Sequence, residues 1–217
     1  IGTEWHDDDI TAASSAGPDA ILVPKVESAE QVNALVAAME AAGAPDHTQL
    51  WAMIETPRAL LHAEEIAAAH DRLTVIVMGT NDIVNETYGL HVPGRNPVVL
   101  TALAWTLIAV RAAGKVVIDG VYNDVRNEEG FLAEARQGRE MGFDGKTLIH
   151  PSQVEPANEA FSPSEADIER AQGLIAAFDE AKAAGAGVAT YNNKLVEELH
   201  VRDANRILAF AAALASR

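Results

Sequence analysis

The chain has 217 residues, 48% of them hydrophobic, which suits one domain of ordinary size with a buried core. A formal net charge of −16 argues against nucleic acid or an anionic membrane as partner, because either calls for a basic face. The lack of cysteine removes disulfides, thiolate nucleophiles and Cys-type zinc sites, and it is compatible with a reducing cytoplasm.

Residues 1–10 are acidic and carry no apolar segment, so they do not read as a signal peptide; the start without Met points to a fragment or a trimmed or processed chain. Strand-like runs come next at 20–26, 50–54, 73–78, 116–118 and 147–149. They are nearly continuous apolar runs without polar alternation, the pattern of strands covered on both faces of a parallel sheet.

Helical patterns lie between these runs. Val32, Leu35, Val36 and Met39 share one helix face behind a capping-box pair, Ser28 and Gln31. Thr56-Pro57 supplies a cap and a first-turn proline for the next helix, while Gly114 and Gly142 stand where helices should stop. The most apolar stretch, 98–110, is interrupted by Thr101 and Thr106 and ends at Arg111, too short for a membrane span. It reads as a helix buried on most sides, and Trp5, Trp51 and Trp105 read as core or interface aromatics.

Ser162-Pro163-Ser164-Glu165 opens a helix bearing Ile168, Ala171, Ile175 and Phe178 on one face, and Ala204, Ile207, Leu208 and Ala211 mark the last helix. The small, polar stretch 183–193 reads as a hinge. The expected organisation is therefore a barrel-type domain over 1–189 and a C-terminal lid and helix over 190–217. Alternating strands and helices imply right-handed βαβ units in a parallel sheet. An eight-stranded barrel takes about 250 residues, so five visible strands mean a smaller open sheet or missing opening strands.

Glu55 and Asp82 each come just past the end of a strand-like run, about one strand-plus-helix unit apart. At the C-terminal ends of consecutive parallel strands such carboxylates meet in one mouth, where barrels do their chemistry. Two hard oxygen donors there suit Mg²⁺, which keeps water or substrate in its other positions. Each acid also has a plainer reading: Glu55 before Thr-Pro suits a helix N-terminus, and Asp82 suits a cap. Lys25, at another strand end, either meets an anionic substrate or snorkels over the rim. Asp119 contacts metal-bound water, orients a neighbour or makes a turn, and Arg95 reads best as a solvated loop residue. The histidines form no HExxH motif, and there is no GxSxG elbow.

Five segments occur in a family order: Val23-Pro24-Lys25-Val26-Glu27, Ile54-Glu55-Thr56-Pro57, Gly79-Thr80-Asn81-Asp82, Ile118-Asp119-Gly120-Val121, and the run from Gly142-Phe143-Asp144-Gly145-Lys146 to Pro151-Ser152-Gln153. Together they resemble the HpcH/HpaI aldolase, or citrate lyase beta-subunit-like, family of CoA-ester lyases. The resemblance implies a (β/α)₈ TIM barrel of the phosphoenolpyruvate/pyruvate-binding type, here incomplete, with a C-terminal helical lid. It implies Mg²⁺ on Glu55 and Asp82 and a 2-oxo acid carboxylate on backbone N–H groups around Thr80 and Asn81.

The activity implied is cleavage or formation of a 3-hydroxyacyl-CoA such as malyl-, citramalyl- or citryl-CoA. Thioester hydrolysis at the same site, or a non-catalytic accessory role, are the alternatives. The family's lid acid falls on Glu197, a Glu where the commonest pattern has Asp. Family members begin with three strand–helix units, the third bearing an Arg, and the segment from Gly2 to Asp9 resembles the stretch just after that third strand. A cytoplasmic homo-oligomer, trimer or hexamer, completes the expectation.

Overall fold

The computed structural model describes residues 1–216. The chain divides into two compact units, Ile1–Phe161 and the segment from Ser162 onward, so the division falls ahead of the helix that begins at Glu165.

The first unit runs α1 (His6–Ala16), β1 (Ala20–Val23), α2 (Ala29–Ala41), β2 (Gln49–Ile54), α3 (Pro57–Leu61), α4 (Ala63–Ala68), β3 (Leu73–Met78), α5 (Thr80–Glu86), α6 (Pro97–Ala112), β4 (Val116–Asp119), α7 (Glu128–Met141), β5 (Gly145–Lys146), a 3₁₀ turn (Pro151–Gln153) and α8 (Val154–Phe161). The strands form one parallel sheet in the order β1-β2-β3-β4-β5, the expected α/β arrangement of five parallel strands. Leu50, Ala52 and Ile54 of β2, and Leu73, Ile76 and Met78 of β3, are buried at its centre. The α2 face of Val32, Leu35, Val36 and Met39 is buried as its spacing requires.

Local signals explain the helix ends. Thr56 Oγ1 accepts from the Ala59 N–H at 3.1 Å and Pro57 opens α3. Gly114 and Gly142 have φ of 67° and 107°, the left-handed backbone a helix stop demands. Ser28 Oγ accepts from the Gln31 N–H, but Gln31 Oε1 accepts from the Glu27 N–H, one residue before the cap. At the edge of the sheet where β2 begins, Arg72 Nε donates to the Thr48 carbonyl at 2.8 Å and Nη2 to the Pro45 carbonyl at 2.5 Å.

Three expectations are corrected. Residues 147–149 are not strand: β5 is only Gly145–Lys146, the Thr147 N–H gives the last ladder bond, to the Asp119 carbonyl, and the Ile149 N–H goes instead to Gln153 Oε1 at 3.0 Å. The apolar helix α6 is not buried on most sides, since Trp105 and Ile108 are 57% and 69% exposed and Val98 is exposed on the same stripe. Trp5 is likewise exposed, so of the core and interface readings of Trp5 and Trp105 the core one is removed. Among the described residues no helix is long and apolar enough to cross a membrane.

The second unit holds α9 (Glu165–Ala183), β6 (Ala189–Tyr191), β7 (Lys194–Val196) and α10 (Glu198–Ala215). Ser164 and Asp167 form a capping box at the start of α9. The hinge expected over 183–193 is corrected in part: its end belongs to an antiparallel hairpin of β6 and β7. Asn192 and Asn193, with φ of 49° and 60°, make the two-residue turn that matches strand twist.

Candidate functional site

Parallel pairing brings the C-terminal ends of β1 to β4 to one edge of the sheet. Glu55 comes directly after β2 and is buried. Lys25, just past β1, has φ of 55°, a conformation that non-glycine residues seldom adopt. That turn aims its N–H at Glu55 Oε1, 2.9 Å away, while its ammonium reaches Asp82 Oδ1 at 3.1 Å. Asp82 lies in the first turn of α5, and Gly79 precedes that helix. A Cβ on Gly79 would fall 2.6 Å from Glu55 Oε2, so glycine is what leaves room for the buried acid.

Burial pushes the Glu55 carboxyl above the usual 4.5, and the negative charge of Asp82 adds to that rise. The Lys25 ammonium and N–H oppose it. The hydrogen bond to Asp82 raises the Lys25 pKa in turn. Two mutually repelling hard oxygen donors fit Mg²⁺. Among the described residues no group of three or more His, Asp or Glu side chains converges as a metal cage. Mg²⁺ suits such a sparse set, because it retains water or substrate in its remaining positions.

Thr80 and Asn81 open α5 beside this pair. Asn81 Nδ2 donates to Asn123 Oδ1 at 3.0 Å, and Asn123 Nδ2 donates back to Asn81 Oδ1 at 2.8 Å. Gly120, at the end of β4, allows the close approach, since a Cβ there would meet Thr80 Oγ1 at 2.5 Å. From Asn81 a cleft of about 700 Å³ runs past Asn96, Tyr122, Asn123 and Gln137.

Behind that cleft lies a buried charge cluster. Asp119 Oδ2 accepts from Arg95 Nη2 at 2.5 Å and from Lys146 Nζ at 3.0 Å, and Glu134 Oε1 accepts from the same two donors at 3.2 and 2.9 Å. Lys146 Nζ also donates to the Gly120 carbonyl at 2.7 Å. Arg95 is thus corrected: its side chain is only 4% exposed, not solvated. Asp119 faces these cations, with Gly138 close against its carboxylate. Glu197 belongs to the second unit, where it is exposed at the start of α10 and its N–H donates to His200 Nδ1 at 3.0 Å. His150 caps the 3₁₀ turn and is exposed.

Residues 1–151 match the HpcH/HpaI aldolase/citrate lyase family. The chain belongs to that family. Over its full length it is 50% identical to a (3S)-malyl-CoA thioesterase of Cereibacter sphaeroides, covering 73% of that protein. It is 36% identical to the citrate lyase beta subunit of Leuconostoc mesenteroides subsp. cremoris, over 98% of this chain and 72% of the relative. Among solved structures it resembles the Mycobacterium tuberculosis protein CitE in complex with magnesium, acetoacetate and coenzyme A. The TM-score is 0.77 at 28% identity, covering 97% of this chain and 75% of that one.

Within this HpcH/HpaI-type chain, Lys25, Glu55, Thr80, Asn81 and Asp82 stand together on the first unit, while Glu197 stands on the second. Sequence reasoning missed Asn123, Glu134 and Lys146. Asn123 and Glu134 look like ordinary surface residues in sequence. Lys146 carried a weak signal, a lysine between Gly145 and Thr147 one residue from the apolar run 147–149.

Proposed function

We propose that this chain is a Mg²⁺-dependent enzyme that cleaves or forms the carbon–carbon bond of a 3-hydroxyacyl-CoA of the malyl-, citramalyl- or citryl-CoA type. The products of cleavage are an acyl-CoA and a 2-oxo acid. The observation that carries this reading is the buried Glu55 set against Asp82 at the strand-end edge, two hard oxygen donors in a chain without cysteine. Mg²⁺ bound there supplies Lewis-acid polarisation of the oxygen on the carbon that becomes a ketone.

The chain's own residues divide the remaining work. Glu55 and Asp82 grip the cation. N–H groups of Thr80 and Asn81, in the first helical turn and so without intrahelical partners, receive the oxo-acid carboxylate. Lys25 brings a positive charge to the anionic substrate, and Glu197 on the lid serves as acid/base for the hydroxyl proton. The exposed apolar stripe of Val98, Trp105 and Ile108 supports a homo-oligomer, and the family resemblance points to a trimer or hexamer. A cytoplasmic setting belongs to the same reading, which the lack of cysteine supports.

Thioester hydrolysis is the second reading, favoured by the 50% identity to (3S)-malyl-CoA thioesterases. One assay separates the two. With (3S)-malyl-CoA and Mg²⁺, acetyl-CoA plus glyoxylate supports the lyase, and malate plus free CoA supports the thioesterase. Cation binding with neither product set supports an accessory role.

A further inference from the structure

Lys25 makes two contacts of different kinds with the same acidic pair. Its backbone N–H is held on the buried Glu55 by a left-handed backbone, whereas its ammonium lies on Asp82 with both side chains 45% exposed. The first contact is built in. The second is releasable, because a half-exposed ion pair on a four-carbon stem is weakly held. Tyr88, the other bulky residue with positive φ, is almost wholly exposed and lies just past α5, so it serves no comparable contact.

We propose that Lys25 is a displaceable counter-ion: its ammonium neutralises Asp82 while the pair holds no metal, yields that oxygen to Mg²⁺, and then pairs with the substrate's carboxylate. This rests on the reading of Glu55 and Asp82 as the Mg²⁺ site. Two carboxylates and one ammonium leave the cluster with a single net negative charge. A divalent cation turns that into a single net positive charge, and a monocarboxylate then brings it to neutrality. The ammonium at 3.1 Å holds Asp82 Oδ1, the oxygen a cation on this pair would take, and two cations that close would repel one another. Glu55 Oε1 keeps its backbone hydrogen bond throughout, with Oε2 on the side of Gly79.

The exchange couples two binding events. Metal frees the ammonium for the oxo-acid carboxylate, and by reciprocity the carboxylate, drawing the ammonium off Asp82, strengthens metal binding. A lysine that merely stiffened the fold would weaken both events together when removed.

The test is an electron paramagnetic resonance titration of Mn²⁺, alone and with saturating pyruvate, on the wild-type chain, Lys25→Met and Lys25→Asn. A pyruvate titration at saturating Mn²⁺ accompanies it. Asn tolerates left-handed backbone, so at least one variant keeps the fold. Removing one charge near the cation at near-surface screening should tighten Mn²⁺ alone by roughly tenfold and weaken pyruvate at saturating Mn²⁺ by a similar factor. The gain in Mn²⁺ affinity that pyruvate gives the wild type should disappear in both variants. Mn²⁺ binding by the wild type with unchanged or weaker binding in the folded variants overturns the exchange and leaves the metal reading standing. If the wild type binds no Mn²⁺, both fall.

Discussion

Asn81 and Asn123, on α5 and on the loop after β4, hold each other through two reciprocal amide hydrogen bonds of 3.0 and 2.8 Å. The pair fixes the first turn of α5 against the next strand-end loop, where the Thr80 and Asn81 N–H groups are proposed to receive the oxo acid. Asn123→Ala should cost about 1 kcal/mol of stability or less, since the bonds are exposed. The same change should raise KM for the 3-hydroxyacyl-CoA by about tenfold or more, because small misplacements of a binding group are costly. Steady-state kinetics beside a urea melt separates the two effects.

Asp119 is fully buried between the guanidinium of Arg95 and the ammonium of Lys146. Asp119→Ala leaves two buried cations with Glu134 as their remaining acid, and breaking a buried ionic group of this kind costs about 3–5 kcal/mol. Urea denaturation should show that loss, with a smaller one for Asp119→Asn, which keeps an oxygen acceptor.

Gly79→Ala puts a methyl group against the Glu55 side chain and 2.6 Å from Oε2. The acid must move or the turn must open, at about 1–3 kcal/mol. Mn²⁺ affinity should fall by more than tenfold if Glu55 is a ligand; unchanged affinity would remove Glu55 from that role.

The raised pKa of Glu55 gives a pH signature. A carboxyl whose folded pKa lies above its unfolded value adds stability that is complete below the unfolded pKa and lost as pH rises through the folded one. Metal-free Glu55→Gln should therefore melt above the wild type at neutral pH, with the gap closing as pH falls toward 4.5. Saturating Mg²⁺ should reverse the order, because only the carboxylate grips it. Melting curves at several pH values, with and without Mg²⁺, check both statements.

The segments that determine their own structure were legible in the sequence. Strands β2, β3 and β4 are near-continuous apolar runs, although only β3 is buried on both faces and β2 alternates buried with half-buried residues, and Glu55 and Asp82 stand out because each comes just past such a run. Arg95 and Lys146 were not legible in the same way. Their burial depends on sheet register, which sets Lys146 beside Asp119 across β4 and β5, and on a fold-back of the loop before α6 that local pattern does not encode. The hairpin of β6 and β7 is hidden for another reason. Its strands are three residues each, too short for periodicity, and only Asn192-Asn193 marks the turn.

Because the strands of the first unit all run one way, the turns entering them open on the rim opposite the acids. Gly114, in the turn between α6 and β4, faces open space. A fluorophore or surface tether installed at that turn, beside Gly114 and not on its left-handed backbone, would sit on the rim opposite Glu55 and Asp82. Reporters and immobilisation handles therefore have a place on this enzyme that costs it nothing at the mouth.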